Sequence, residues 1–334
     1  MITMQIIDKY IAYIRDVRRY SVRTVEIYGS VLKKYILLTF GDDVNPSDSD
    51  IVEALNPSEI RSYEVAMLDG KHPHSAKTVA LHMSALSSFC RYLMKLGILK
   101  SNPVRLVPKP RVEKRLPVFY RKESMDRYLE QTGYLLEEDF LSALHESWQT
   151  ESGKELYRRL LARVIISSLY SLGIRRSELL DLTVGDVDFG RNVVKVRGKG
   201  DKMREIPLIV SLSEELLLYL KAVETMHGMK RSLTEPLLVT YAGAALYPNY
   251  VDRTVKRELE GVQGIAGRKS PHVLRHTLAT GLMNEGADLN SIKELLGHSS
   301  LATTQIYTHS SIARLKTIYE HAHPRAKNGG KHGD

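Results

Sequence analysis

Between Asn102 and Pro117 the chain carries four prolines, Pro103, Pro108, Pro110 and Pro117. Proline fixes φ and has no N–H to donate, so this stretch is extended and cannot continue a helix. A break of that kind after the first hundred residues divides the chain, and a length of 334 residues suits two domains. The same stretch holds Arg105, Lys109, Arg111, Lys114 and Arg115 against a single acid, Glu113. Two uses fit it: a strap whose cations release counterions from a duplex, or a merely solvated linker.

Before the break the pattern is helical throughout. Ile6, Ile7, Tyr10, Ile11 and Ile14 recur at helical spacing. Ser21 offers an N-cap ahead of a second stripe, Val25, Tyr28, Val31, Leu32 and Tyr35. Residues 41–46 read as a loop. Asn56-Pro57-Ser58-Glu59 opens a third helix, and Ser75 precedes a fourth that runs to Gly97. A small helical bundle follows.

After the break a strongly apolar helix spans Tyr157 to Leu172 and stops at Gly173. Three short strands are expected at Asp186–Phe189, Val193–Arg197 and Arg204–Leu208, separated by Gly190-Arg191-Asn192 and Gly198-Lys199-Gly200-Asp201. Helices resume at Ser211, with Glu214 as a capping-box partner. They continue over Asn249–Val262, His272–Glu285, Leu289–Leu296, Leu301–Ile306 and Ile312–Ala322. The fold class is therefore mainly α: a helical bundle, then a mixed α+β domain with a small antiparallel three-stranded sheet.

Four motifs in the second half carry chemistry: Gly173-Ile174-Arg175-Arg176-Ser177-Glu178, the hairpin tip Gly198-Lys199-Gly200, His272-Val273-Leu274-Arg275-His276, and Leu296-Gly297-His298 with Tyr307 nine positions on. His272 and Arg275, three apart at a helix start, share a face, and a helix N-terminus favours anions. His298 follows a glycine at a helix end. Lys199 sits on a glycine-flanked turn. The set offers two arginines, one lysine and two histidines, with no carboxylate among them. It suits a phosphoryl group in a pentavalent state, whose extra negative charge needs fixed donors.

This constellation resembles the tyrosine recombinase/integrase family. There an arginine, a hairpin lysine, a His-x-x-Arg pair, a second histidine and a tyrosine occur in this order. Arg175, Lys199, His272, Arg275, His298 and Tyr307 match it. The family places its arginine directly after the Gly-hydrophobic pair, which selects Arg175 over Arg176. Ser21-x-x-Thr24-x-x-x-Tyr28 and Ser84-Ala85-Leu86-x-x-Phe89-x-x-Tyr92 look like its SAM-like core-binding domain, and Asn102-Pro103 like the end of that domain. The ending Tyr319-Glu320-His321-Ala322-His323-Pro324-Arg325-Ala326 looks like the Xer branch.

The resemblance implies a DNA-clamping core-binding domain over 1–107, a basic linker over 108–117, a catalytic domain over 118–326 and a disordered tail over 327–334. It implies cleavage and rejoining of double-stranded DNA through a 3′-phosphotyrosine on Tyr307, with no cofactor and no metal. His272 is the candidate base, Lys199 the acid for the leaving oxygen, and Arg175, Arg275 and His298 the holders of the non-bridging oxygens. It also implies a tetrameric synaptic complex, homomeric or shared with a related recombinase, with the helix 312–322 docking in a neighbour. Activation by a DNA translocase is left open. A type IB topoisomerase and a DNA-binding protein without catalysis are the alternatives.

The net charge of +9 agrees with a polyanionic partner. A single cysteine, Cys90, excludes an intrachain disulfide and reads as a buried, inert thiol. The pair His272 and His276 has zinc-like spacing, but Val273 stands where zinc proteases carry Glu. His309, His321 and His323 are expected at the surface. No signal peptide or span of about 20 apolar residues is seen, so the cytoplasm is the expected compartment and no membrane is involved. Residues 130–154 look longer than in compact relatives and read as a local helix or a partner contact.

Overall fold

The computed structural model describes residues 5–297 except 43, 71–72, 109, 111–117, 138, 199–200 and 229, together with His323 and Arg325. Lys199, His298, Tyr307, most of the linker, the helices expected at 301–306 and 312–322, and the tail 327–334 lie outside the described residues. The chain divides into two compact units, Met1–Arg115 and Leu116–Asp334.

In the first unit, helix α1 (Gln5–Ala12) runs into a short π-turn at Tyr13–Val17. Then come α2 (Val22–Phe40), α3 (Asp48–Ala54), α4 (Pro57–Asp69) and α5 (Ala76–Lys95). The caps are those expected: Ser21, Asn56 and Ser75 accept the N–H groups of Thr24, Glu59 and Thr78. Helix α3 is an addition to the sequence reading. Its signal is a capping box, in which Ser47 accepts from Asp50 N–H while the Asp50 carboxylate accepts from Ser47 N–H at 2.9 Å. Tyr10, Ile14, Leu32, Tyr35, Ile60, Tyr63, Leu86, Phe89 and Leu93 fill the core. Cys90 is fully buried, and burial pushes its thiol up to about 12. Asn102 closes the unit by donating to Ser87 Oγ at 2.9 Å and to Ser87 O at 3.2 Å.

The second unit is built around α8 (Glu151–Leu172), every residue of which from Leu160 onward is buried. Each fully buried Leu or Ile here contributes roughly 1.5–3 kcal/mol. Ile165→Ala would therefore cost about 2–5 kcal/mol with the cavity included. Packed on it are α7 (Phe140–Ser147), α10 (Val210–His227), α11 (Pro248–Glu258) and α12 (Pro271–Asn284). Helices α6 (Lys122–Gln131), α9 (Arg176–Asp181) and α13 (Leu289–Leu296) complete the helical set among the described residues. The stretch 130–154 packs on its own unit, with Leu135, Phe140 and Leu144 in the core. Strands β1 (Val187–Asp188), β2 (Val193–Arg197) and β3 (Met203–Pro207) form an antiparallel sheet in that order.

Two details depart from the sequence reading. Helix α10 starts at Val210 behind Ile209, without a side-chain cap, so the Ser211–Glu214 box is not made. Strand β3 runs almost directly into this helix, with Leu208 N–H bonded to Asn192 O, and Ser211 already lies inside the first turn. His323 is not at the surface but 1% exposed.

Candidate active site around Glu178

Helix α8 ends at Gly173 in the left-handed region, φ 59°. The left-handed backbone favours glycine there, and a Cβ would also press within 2.7–2.8 Å on the terminal methyls of Leu278 and Leu296. The turn delivers Arg175 to the N-cap of α9. Glu178, at the third position of that helix, accepts from Arg175 N–H at 2.8 Å and from its guanidinium at 2.6 Å. Arg175 is about one-third exposed, at 32%, and donates also to Gly297 O at 3.1 Å.

Glu178 is itself buried, and it is gripped twice by Arg204, at 2.9 and 2.7 Å. The sheet register explains why an arginine points inward. Val194 pairs with Ile206 and Val196 with Arg204, and all four side chains are buried on one face. Arg204 also donates through Nε to Leu295 O at 3.0 Å, tying β3 to α13. Arg275, on α12, is buried and donates to Gly173 O at 2.6 Å and to Leu296 O.

Three arginines therefore surround one carboxylate. Burial pushes Glu178 up, but the hydrogen bonds from Arg204 and Arg175 outweigh it and hold the group down at about 2. Burial, with Arg175 nearby, lowers Arg275 to about 10, so it stays charged at neutral pH. The cluster keeps an excess of positive charge, and the exposed part of Arg175 is its opening to an anion.

His272 lies at the start of α12 and is exposed, while Arg275 three residues on is buried. Partial desolvation, then Arg275, Arg268, Arg176 and Arg175, lower it below the usual imidazole range. Its neutral, proton-accepting form therefore prevails at pH 7. Arg176 turns the other way and pairs with Asp252 of α11. His276 packs edge-on against Phe119, with ring centroids 6.3 Å apart.

The structure thus brings Arg175 and Arg275 to one cluster, with His272 close enough to feel both charges. It adds a carboxylate, Glu178, and a third arginine, Arg204, which the sequence reading missed. The positions next to Lys199 and His298 also abut this cluster. A Cβ on Gly198 would lie 3.3 Å from Arg204 Nη1, and one on Gly297 at 3.3–3.4 Å from the same guanidinium.

The chain matches the phage integrase family over residues 135–314 and its N-terminal SAM-like domain over 7–97. The tyrosine recombinase XerC of Chlorobaculum parvum is 32% identical, over 96% of this chain and 94% of the relative. The chain belongs to the tyrosine recombinase, or phage integrase, family. It is an enzyme of site-specific DNA recombination, cutting and rejoining DNA.

Among solved structures, XerH bound to a palindromic difH substrate after cleavage aligns with a TM-score of 0.62 at 21% identity, over 95% of this chain and 84% of that one. A lambda integrase tetramer on a Holliday junction aligns with 0.56 at 19%, over 91% and 79%. These likenesses establish the two-domain fold. Among the described residues no helix is long and apolar enough to cross a membrane.

Proposed function

We propose that the chain is an Xer-like recombinase whose nucleophile is Tyr307. The phenol oxygen attacks the scissile phosphorus, the bond to the 5′-oxygen breaks, and a 3′-phosphotyrosine remains. A phenol of ordinary pKa near 10 needs a base at neutral pH, and His272 takes its proton. Lys199 protonates the leaving 5′-oxygen. Arg175, Arg275 and His298 hold the non-bridging oxygens. Attack by a 5′-hydroxyl from a partner strand reverses each bond change and creates the new junction. One phosphodiester is exchanged for another, so the chemistry needs neither ATP nor a metal.

The observation that carries this reading is the Glu178 cluster. Arg175 and Arg275 are held there with net positive charge, and the backbone positions next to Lys199 and His298 lie against Arg204. A noncatalytic DNA-binding protein has no need of an inward arginine set of this kind. The Xer-like relatives favour resolution of chromosome or plasmid dimers over integration.

The tetramer forms by docking of residues 312–322 into a neighbour, homomeric or related. His323 and Arg325 here occupy a pocket of their own chain. A swapped arrangement keeps the same bonds, supplied by the neighbour.

The test is a nicked suicide substrate, drawn from fragmented genomic DNA of the source, followed by denaturing electrophoresis. A protease-sensitive protein–DNA band that disappears in Tyr307→Phe supports the assignment. An adduct that survives the substitution moves the nucleophile elsewhere. Binding without any adduct, on a pool containing the true site, sinks the catalytic reading.

A further inference from the structure

Tyr120, ahead of α6, is 3% exposed and bonds at both ends of its structure. Its N–H donates to Thr277 Oγ1 at 3.0 Å, and Thr277 passes the bond on by donating to Val273 O at 2.8 Å. Its hydroxyl donates to Arg268 O at 2.8 Å and accepts a backbone hydrogen bond from Ser270. Burial pushes the phenol up to about 12, so it keeps the proton that it donates. One residue thus holds the first turns of α12, through Thr277 and Val273, and the chain leading into them, at Arg268 and Ser270.

The start of that helix has little anchorage of its own. Ser270 is the N-cap of α12, yet its side chain makes no cap bond. The loop before it, 259–269, holds neither helix nor strand, and Gly261, Gly264 and Gly267 take positive φ. Its carbonyls are held from the other side instead: Gln263 O accepts from Arg127 at 3.2 Å, and Arg268 O from Tyr120. His272 stands two residues past Ser270. A shift of the loop therefore moves the imidazole and Arg268 together.

We propose that Tyr120 is a positioning residue for the cleavage reaction. Through its hydroxyl and its N–H it sets where His272 stands beside Arg268 and Arg275. It touches no reacting atom and acts through the backbone of 268–273. The inference rests on His272 being the base and Tyr307 the nucleophile. His272 is lowered by partial burial first, then by Arg275, Arg268, Arg176 and Arg175. Glu178 sits behind Arg175, and Asp252 behind Arg176. Loosening the loop admits water and frees Arg268 to move off. Both changes raise the imidazole toward its ordinary value of about 6.5.

The experiment compares the full-length protein with Tyr120→Phe, which keeps the ring and removes the hydroxyl. Three quantities are read: the rate of adduct formation on saturating suicide DNA across pH, the affinity for that DNA, and the titration of the His272 imidazole in the free protein by NMR. In Tyr120→Phe the adduct rate at pH 7 falls at least about 10-fold, within the roughly 10²-fold that a displacement of about 1 Å costs. Affinity stays within about 2-fold, because no phosphate contact is removed. The acid limb of the rate and the imidazole titration both move to higher pH.

An unchanged rate with an unchanged titration overturns the proposal. So does a slower rate whose acid limb and titration stay at their wild-type positions, which is what a purely structural role gives. If Tyr120→Phe melts below the assay temperature, the decision passes to Thr277→Val and Thr277→Ser. The serine keeps the hydroxyl that joins Tyr120 to Val273, so a slow valine variant beside a serine variant near wild type supports the proposal, and equal rates overturn it. A wild-type protein that forms no Tyr307-dependent adduct condemns the functional reading instead. The imidazole titration then decides alone: moved in Tyr120→Phe, it shows that Tyr120 positions His272, and unmoved, it overturns that.

Discussion

Glu178 and Glu215 are the same chemical device in two settings. Each is a buried carboxylate held by a pair of arginines, Arg204 of β3 and the α9 N-cap Arg175 in one case, Arg163 and Arg325 in the other. Accessibility separates them. Arg163 and Arg325 are only 5% and 6% exposed, and their donors go to the protein. Arg175 is 32% exposed and can turn part of its fork outward. Around Glu215 the arrangement is a fastening. Around Glu178 it is a fastening with one arm left for a ligand.

The comparison can be broken most directly at its two carboxylates. Glu178→Gln leaves Arg204 buried beside a neutral amide, and stability should fall by about 3–5 kcal/mol in a denaturant titration. Glu215→Gln should cost a similar amount, so equal losses with unequal effects on DNA affinity are the expected result. The folded-state position of Glu178, about 2, lies below its unfolded value. Its stabilisation is therefore complete above the ordinary carboxylate range. It is lost as pH falls toward 2, on the order of 3 kcal/mol, and Glu178→Gln should erase that acid limb.

Next in size is Arg175→Ala. Losing one preorganised donor should slow adduct formation about 10²–10³-fold while the fold survives. Arg175→Lys should not restore it, because a lysine cannot grip two oxygens as a fork. An equal loss on Arg163→Ala at unchanged stability would show that the two carboxylate clusters are not different in kind.

Gly297→Ala has a smaller effect. At φ 64° a side chain costs roughly 1–2 kcal/mol, and its Cβ would crowd the Arg204 guanidinium at 3.3–3.4 Å. A thermal melt reads the first consequence and the cleavage rate the second. The mildest expectation concerns pH. Cleavage should hold steady on acidification past 6.5 and fall only below it, because His272 is lowered by partial burial and by the surrounding arginines. In His272→Asn that limb should vanish from the profile. A limb retained at the same pH would move the base elsewhere.

Much of this organisation was legible in the sequence because it is local. The caps Ser21, Asn56 and Ser75 and the stop at Gly173 depend on neighbours a few residues away, and all stand where expected. Helix α3 is legible too, in the capping box of Ser47 and Asp50 directly after the loop at 41–46. The class of enzyme could be read from six residue types in order.

The partnerships were not legible. Arg204 looks like a surface charge until alternation with Ile206 places it on the inner face of β3. Glu178 looks like a helix-surface acid until Arg204, 26 residues later, reaches it. A residue set without a carboxylate places Arg175 on one, since Glu178 binds both it and Arg204. His323 looked like part of a solvated ending. Its burial depends on Ser171, 152 residues earlier, and no window of local sequence contains that information.

The bond from Arg325 to Glu215 spans 110 residues. At a synthesis rate of about 5–20 residues per second, roughly 5–20 s separate the translation of the carboxylate from that of its second arginine. During that interval the newborn second unit has α8 and α10 but lacks the arginine that completes the ion pair at Glu215. On this view the ribosome keeps a timetable for the fold: a chain that is still being made carries a buried carboxylate with one of its two partners yet to arrive.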